Sequence, residues 1–154
     1  MINDVQLRQA SIQDAEQLLA WRNDELTRLS SHTQDLIEVA QHQVWLERSL
    51  KNTNRKLVIA VYQDEDIGSL RADYDRKKQA WELSWTLAPN YRGRGLAKEM
   101  VLVFANSIKD AICAEVKETN LASVRVAEYA GLTFTHQQHQ VLFFSRSELC
   151  TSQD

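Results

Sequence analysis

Ala88-Pro89-Asn90-Tyr91-Arg92-Gly93-Arg94-Gly95-Leu96-Ala97 holds two of the four glycines and the only proline of the chain. It joins two runs of different period. Upstream, Trp81 to Leu87 alternates apolar and polar residues, as a half-buried strand does. Downstream, Leu96 to Ile108 is apolar and reads as a helix. A glycine-rich turn feeding a helix leaves the first helical amides without backbone partners, with the positive end of the helix dipole behind them. That arrangement binds phosphate. Arg92 and Arg94 add guanidinium groups that can pair with phosphate oxygens.

Working outward, Val5 to Ala10 alternates as a strand, and Ser11-Ile12-Gln13-Asp14 is a helix start with an acid at the third helical position. Ile12, Ala15, Leu18, Leu19 and Arg22 mark one face of that helix. Asn23 to Asp35 is polar and reads as a loop or broken helix. A second helix is expected over Glu38 to Leu50, with Ala40, Val44, Trp45 and Leu46 as its apolar residues. Three strands follow, Lys56 to Tyr62, Asp66 to Tyr74 and Ala80 to Leu87, close enough to form antiparallel hairpins. Beyond the opening turn come a helix from Leu96 to about Lys109 and a short apolar strand, Ala111 to Val116. A helix from Asn120 to Ala130 is ended by Gly131, and Thr133 to His136 and Gln140 to Ser145 close as a hairpin. The order β-α-α-β-β-β-α-β-α-β-β implies a mixed sheet with helices on its faces.

Composition bounds the rest. A chain of 154 residues is expected to form one domain over 1–154, with 151–154 as a frayed tail. A net charge of −3 and the lack of a basic arm argue against a nucleic-acid partner. No apolar run approaches the roughly 20 residues that span a bilayer, so no membrane partner is expected. The first residues lack the basic and apolar regions of a signal peptide, which points to a cytoplasmic protein. Cys113 and Cys150 have no metal-ligand spacing and read as a buried and a tail thiol.

The strand, then Pro89-x-Tyr91-Arg92-Gly93-x-Gly95-x-Ala97, then a helix and a strand, then Asn120-x-x-Ser123-x-x-Val126-x-Glu128-x-x-Gly131-Leu132, resembles a GNAT-type acetyl-CoA-dependent N-acetyltransferase. The family's acyl-CoA signature, Arg/Gln-x-x-Gly-x-Gly/Ala, corresponds to Arg92-Gly93-Arg94-Gly95-Leu96-Ala97. The resemblance covers nearly the whole chain. It implies an α/β (α+β) fold: one domain with a central, mixed, mostly antiparallel twisted sheet flanked by about four helices. The segment from Asn120 to Leu132 is similar to the ribosomal-protein N-acetyltransferase branch. Trp21-Arg22-Asn23 and His42-x-x-Trp45-Leu46 resemble amino-sugar-nucleotide N-acetyltransferases of pseudaminic acid-type biosynthesis.

The resemblance also implies roles. Amides of Arg92, Gly93, Arg94, Gly95, Leu96 and Ala97 would cradle the pyrophosphate of acetyl-CoA. The backbone of Trp85, Thr86 and Leu87 would pair with the pantetheine arm, and a nearby N–H would polarise the thioester carbonyl. An attacking amine must be neutral, so a base must take its proton. Glu82 shares a strand face with Ser84 and Thr86 and is the candidate base, directly or through water; Asp73 and Glu65, at strand ends, are weaker candidates. Many family members place a tyrosine seven residues after the asparagine to protonate the departing thiolate. Here that position is Ala127, and Tyr129 lies about 200° around the helix from it. Ser123 is the candidate acid by resemblance. Asn120 serves as a pantetheine ligand, a helix N-cap or both.

Arg22, His42 and Trp45 are the candidate acceptor residues. His42 and Trp45 share a helix face, where contact with a sugar or base competes with a packed Trp beside a solvated His. His32, His136 and His139 read as surface residues, and thioester aminolysis needs no metal. Three functions stay open: acetylation of a small amine such as an amino-sugar nucleotide, acetylation of a peptide N-terminus, or CoA binding without turnover. The first two imply direct attack within a ternary complex. Monomer and homodimer both fit.

Overall fold

The computed structural model describes residues 4–150; the expected tail at 151–154 lies outside them. Strands β1 (Gln6–Gln9), β2 (Arg55–Tyr62), β3 (Glu65–Asp75), β4 (Ala80–Leu87), β5 (Ile112–Lys117), β6 (Thr133–Gln138) and β7 (Val141–Arg146) form a single sheet. Their order is β1-β2-β3-β4-β5-β7-β6. Every neighbouring pair is antiparallel except β4 and β5. A two-residue turn, Gln63-Asp64, joins β2 to β3, with both residues at positive φ (51° and 64°) as the tight hairpin requires.

Five helices flank the sheet: α1 (Ala15–Asn23), α2 (Glu25–Ser30), α3 (Val39–Lys51), α4 (Leu96–Ser107) and α5 (Leu121–Tyr129). The expected number was about four. The extra one, α2, has no buried residue, and Leu26 and Leu29 are exposed, so no apolar stripe announces it. Its start is fixed by Asp24, whose carboxylate accepts from the Thr27 amide at 3.2 Å.

The helices divide between the two faces. In α4, Leu96, Met100, Val101, Phe104 and Ala105 recur at helical spacing and are buried against Leu70, Ala72, Leu83, Ile112 and Ala114. Truncating Phe104 to alanine would cost about 3–5 kcal/mol on transfer and cavity terms. Val126 and Ala127 of α5 join the same core. On the opposite face Leu18, Trp21 and Leu46 from α1 and α3 cover Leu57 and Ile59 of β2. Helix α3 is rolled from the expected stripe: His42, Leu46 and Ser49 face inward and Val44 faces water. The Ser49 hydroxyl accepts from Arg55 Nη1 at 2.8 Å, which satisfies a polar group on the buried side.

Gly68 permits a close approach. A Cβ there would stand 2.4 Å from the Thr86 carbonyl oxygen and 3.0 Å from Met100 Sδ. Glycine thus lets β3, β4 and α4 meet just below the glycine-rich turn. After α5, Gly131 (φ 96°) reverses the chain. Its amide donates to Glu128 O and that of Leu132 to Ala127 O, the bonding pattern of a Schellman cap.

Candidate active site

The parallel pair β4–β5 is short. Only Trp81–Ile112, Glu82–Cys113 and Leu83–Ala114 are in register. Beyond them β4 stays paired with β3 as far as Leu87, and β5 with β7 as far as Lys117. The two strands therefore part, and a wedge opens at their carboxyl ends. Trp81 N–H donates to Ala111 O on the β5 side, and Ala88 N–H donates to Ile67 O on the β3 side. With the two-residue period of a strand, the amide and carbonyl of Trp85 and Leu87 point into the wedge and those of Thr86 toward β3.

The glycine-rich turn caps the wedge. Pro89–Tyr91 forms one 3-10 turn, and the Arg92 amide donates back to Pro89 O. Gly93 (φ 78°) and Gly95 (φ 75°) both lie in the left-handed region. Gly95 is the N-cap of α4 and offers no side chain to cap it. Among the described residues nothing accepts from the amides of Gly93, Arg94 or Gly95, and a Cβ at Gly93 would meet nothing within 4 Å. With the first amides of α4, this makes a cradle of free N–H groups at the positive end of the helix dipole. A diphosphate fits that donor set. Arg94 projects outward over the Tyr91 ring, 5.6 Å from its centroid.

Arg92 departs from its expected place. Its guanidinium turns back to Asp24, the N-cap of α2, and reaches Thr27 Oγ1 at 3.3 Å. The side chain assigned to phosphate is already paired, because Asp24 supplies a carboxylate that no local pattern near residue 92 reveals.

On the open polar face, Glu82 lies directly across from Asp73 on one side and Cys113 on the other. Lys78 Nζ is 3.7 Å from Glu82 Oε1 and 3.6 Å from Glu115 Oε2. His32 Nε2 approaches Glu115 Oε1 at 3.5 Å. Partial burial raises the Glu82 carboxyl above the usual carboxylate range; Glu115 raises it further and Lys78 offsets part of this. Asp73 is engaged by both Arg55 and Arg71, and Glu65 stands at the far end of β3 near the Tyr91 hydroxyl. Burial pushes the Cys113 thiol up to about 11, so it holds its proton at neutral pH.

Asn120 and Ser123 stand where α5 leaves the carboxyl end of β5. Asn120 Oδ1 accepts from the Ser123 amide at 3.1 Å, the N-cap bond. The Ser123 hydroxyl is half-buried and has no hydrogen bond among the described residues. Ala127 is fully buried between α5 and the sheet. Tyr129 points away and donates to Glu99 Oε1 at 2.7 Å.

The side of the wedge where Arg22, His42 and Trp45 were expected is covered by α2 and the segment behind it. Lys117 Nζ donates to Leu29 O at 3.0 Å. Trp21-Arg22-Asn23 clamps this segment: Trp21 is buried, Arg22 Nη2 donates to Thr33 O, and Asn23 exchanges two bonds with the Ile37 backbone. Trp45 is half-buried under the guanidiniums of Arg55 and Arg71, at 5.5 and 5.8 Å. His42 is turned inward with its ring 5.4 Å from that of Trp45, and burial lowers its pKa. It is thus a neutral core imidazole, neither the exposed acceptor contact nor the solvated ring that the sequence left open, since the roll of α3 that buries Leu46 buries its neighbour one turn back.

Sequence reasoning missed Arg71, Lys78 and Glu115. The β5 alternation puts Glu115 on the polar face, but only the parallel register places it beside Glu82.

The architecture has many solved counterparts. An acetyltransferase (GNAT) domain model matches residues 4–133. The structure of AAC(6′)-Ib with ribostamycin and coenzyme A superposes with a TM-score of 0.80 at 16% identity, covering 93% of each chain. A ribosomal-protein-alanine N-acetyltransferase from Brucella melitensis gives 0.73 at 21% identity, over 92% of this chain and 99% of that one. The microcin C7 self-immunity acetyltransferase MccE, with acetyl-CoA and AMP, gives 0.77 at 14% identity, over 95% and 94%. A comparison with curated protein sequences found no match.

Proposed function

The chain belongs to the GNAT acetyltransferase family, and from that premise we propose that it transfers an acetyl group from acetyl-CoA to the primary amine of a small molecule, with an amino-sugar nucleotide as the first candidate. The observation that carries this reading is the wedge between β4 and β5 with the unpartnered amide cradle at its mouth. Acetyl-CoA supplies an activated acyl thioester. Gly93 to Ala97 hold its pyrophosphate through backbone N–H groups, with Arg94 free to follow a phosphate. The backbone of Trp85 and Leu87 pairs with the pantetheine amides, and an N–H in the wedge stabilises negative charge developing on the thioester oxygen.

Glu82 takes the amine proton, directly or through one water. Its raised pKa makes the ionised carboxylate a stronger base than an ordinary surface carboxylate. The free hydroxyl of Ser123 donates to the departing thiolate. The protonated state of Cys113 favours direct attack over a cysteine-bound acyl group. The clamped segment across the acceptor side favours a compact acceptor over an extended peptide.

The test is an acceptor screen that follows CoA release with amino-sugar nucleotides, peptides with free N-termini and polyamines. Turnover confined to amino-sugar nucleotides supports the reading. Turnover confined to peptides replaces the acceptor, and acetyl-CoA binding without turnover on any amine replaces catalysis.

A further inference from the structure

The acceptor side carries more positive charge than its carboxylates balance. Among the described residues Arg22 and Arg28 form no ion pair, and Arg55 and Arg71 share the single carboxylate of Asp73. Arg28 is at least hydrogen-bonded, to Asn23 O and Gln34 O. Arg22 is not fully so: Nη2 meets Thr33 O at 2.7 Å, but Nη1 is buried with no acceptor. Arg71 Nε, although 3.0 Å from Asp73 Oδ2, is buried without an aligned hydrogen bond. A buried guanidinium N–H without an acceptor is costly. Burial, then Arg71, then Arg28 each make the charge on Arg22 harder to hold. Asp24, the nearest acid in sequence, is taken by Arg92.

The sheet fixes where this charge lies. Arg71 is directly across from Ser84, one diagonal step from Glu82 on the same face. Such diagonal Cα atoms are about 7–8 Å apart. One face therefore offers a carboxylate for an amine and, a step away, guanidiniums for an anion.

We propose that Arg22 and Arg71 form an anion subsite, so that the acceptor is an amine carrying a phosphate or carboxylate near its reacting nitrogen. This rests on the acetyltransferase reading for the amine, but the anion subsite stands on the arginines themselves. An anion in this position completes the unpaired donors and fixes the amine over Glu82.

The test compares matched acceptors with wild type, Arg22→Gln and Arg71→Gln. Glucosamine 6-phosphate against glucosamine probes phosphate; 4-aminobutyrate against 1-aminobutane probes carboxylate. The expected result is a wild-type kcat/KM ratio favouring one anionic member, and a fall in that ratio of about 10- to 100-fold in each variant, the range for loss of a charge-assisted bond. Arg22→Lys should recover part of it. Calorimetry of the same four probes on CoA-saturated protein gives a second readout independent of turnover. Arginine-dependent binding of an anionic probe supports the subsite. Equal handling of each pair by wild type in both assays, or equal losses for both members in the variants, overturns it. If acetyl-CoA binds and no probe turns over, arginine-dependent binding keeps the subsite while the catalytic reading falls.

Discussion

Arg92, in the glycine-rich turn, is paired with Asp24, the residue that caps α2. The bond joins the proposed cofactor cradle to the helix over the proposed acceptor side. It also takes the Arg92 guanidinium away from the cradle and leaves the backbone amides, with Arg94, to face it.

A double-mutant cycle with Asp24→Asn and Arg92→Gln should show the pair. The coupling energy in urea unfolding should be about 0.5–1 kcal/mol, as for a partly exposed ion pair. Asparagine keeps the cap of α2, so the cycle reports the ion pair and not the helix. Arg92→Gln should weaken acetyl-CoA binding by less than about threefold; a loss above about tenfold would place Arg92 on phosphate.

Glu82→Gln separates catalysis from stability. As base, Glu82 works only when ionised, so wild-type kcat/KM should rise with pH through its raised pKa. The variant should lose that limb and about 100-fold or more in kcat, with acetyl-CoA affinity kept. Stability moves the other way. A carboxyl raised in the folded state favours folding below its unfolded pKa, and that advantage is lost as pH rises through the folded pKa. Glu82→Gln should therefore raise Tm at pH 7 and leave it nearly unchanged at pH 4. Unaltered kinetics would remove Glu82 from the mechanism.

Cys113→Ala should stay active. The thiol lies opposite Glu82 in the register, but at about 11 its pKa leaves almost no thiolate at neutral pH. Loss of turnover with a folded variant, or an acetylated cysteine found by mass spectrometry, would point to a covalent route.

Gly68→Ala should destabilise by about 1–3 kcal/mol, the usual cost of overpacking. The added carbon would meet a backbone oxygen of β4 that cannot move freely. Urea unfolding measures the loss. Acetyl-CoA affinity should fall with it, since Thr86 lies between the two wedge-facing residues of β4.

Local patterns carried much of this account. The alternation of Trp81 to Leu87 and the glycine-rich turn that feeds the helix at Leu96 are written in adjacent residues, and both elements formed where expected. What stayed hidden depends on distant partners. Glu115 joins Glu82 only through the parallel register, and Asp24 meets Arg92 across 68 positions. The roll of α3 that buries His42 and exposes Val44 is decided by packing on β2, not by the helix's own periodicity. Helix α2 has caps but no stripe, so a period search passes over it.

The most direct measurement is calorimetric titration of acetyl-CoA into wild type, Gly93→Val and Gly95→Val. Each valine would force a branched side chain into the left-handed region that the cradle requires. Saturable one-site binding by wild type, weakened at least about tenfold in both folded variants, is the expected result. No binding by wild type at saturating acetyl-CoA, or equal affinity in all three proteins, would contradict the account.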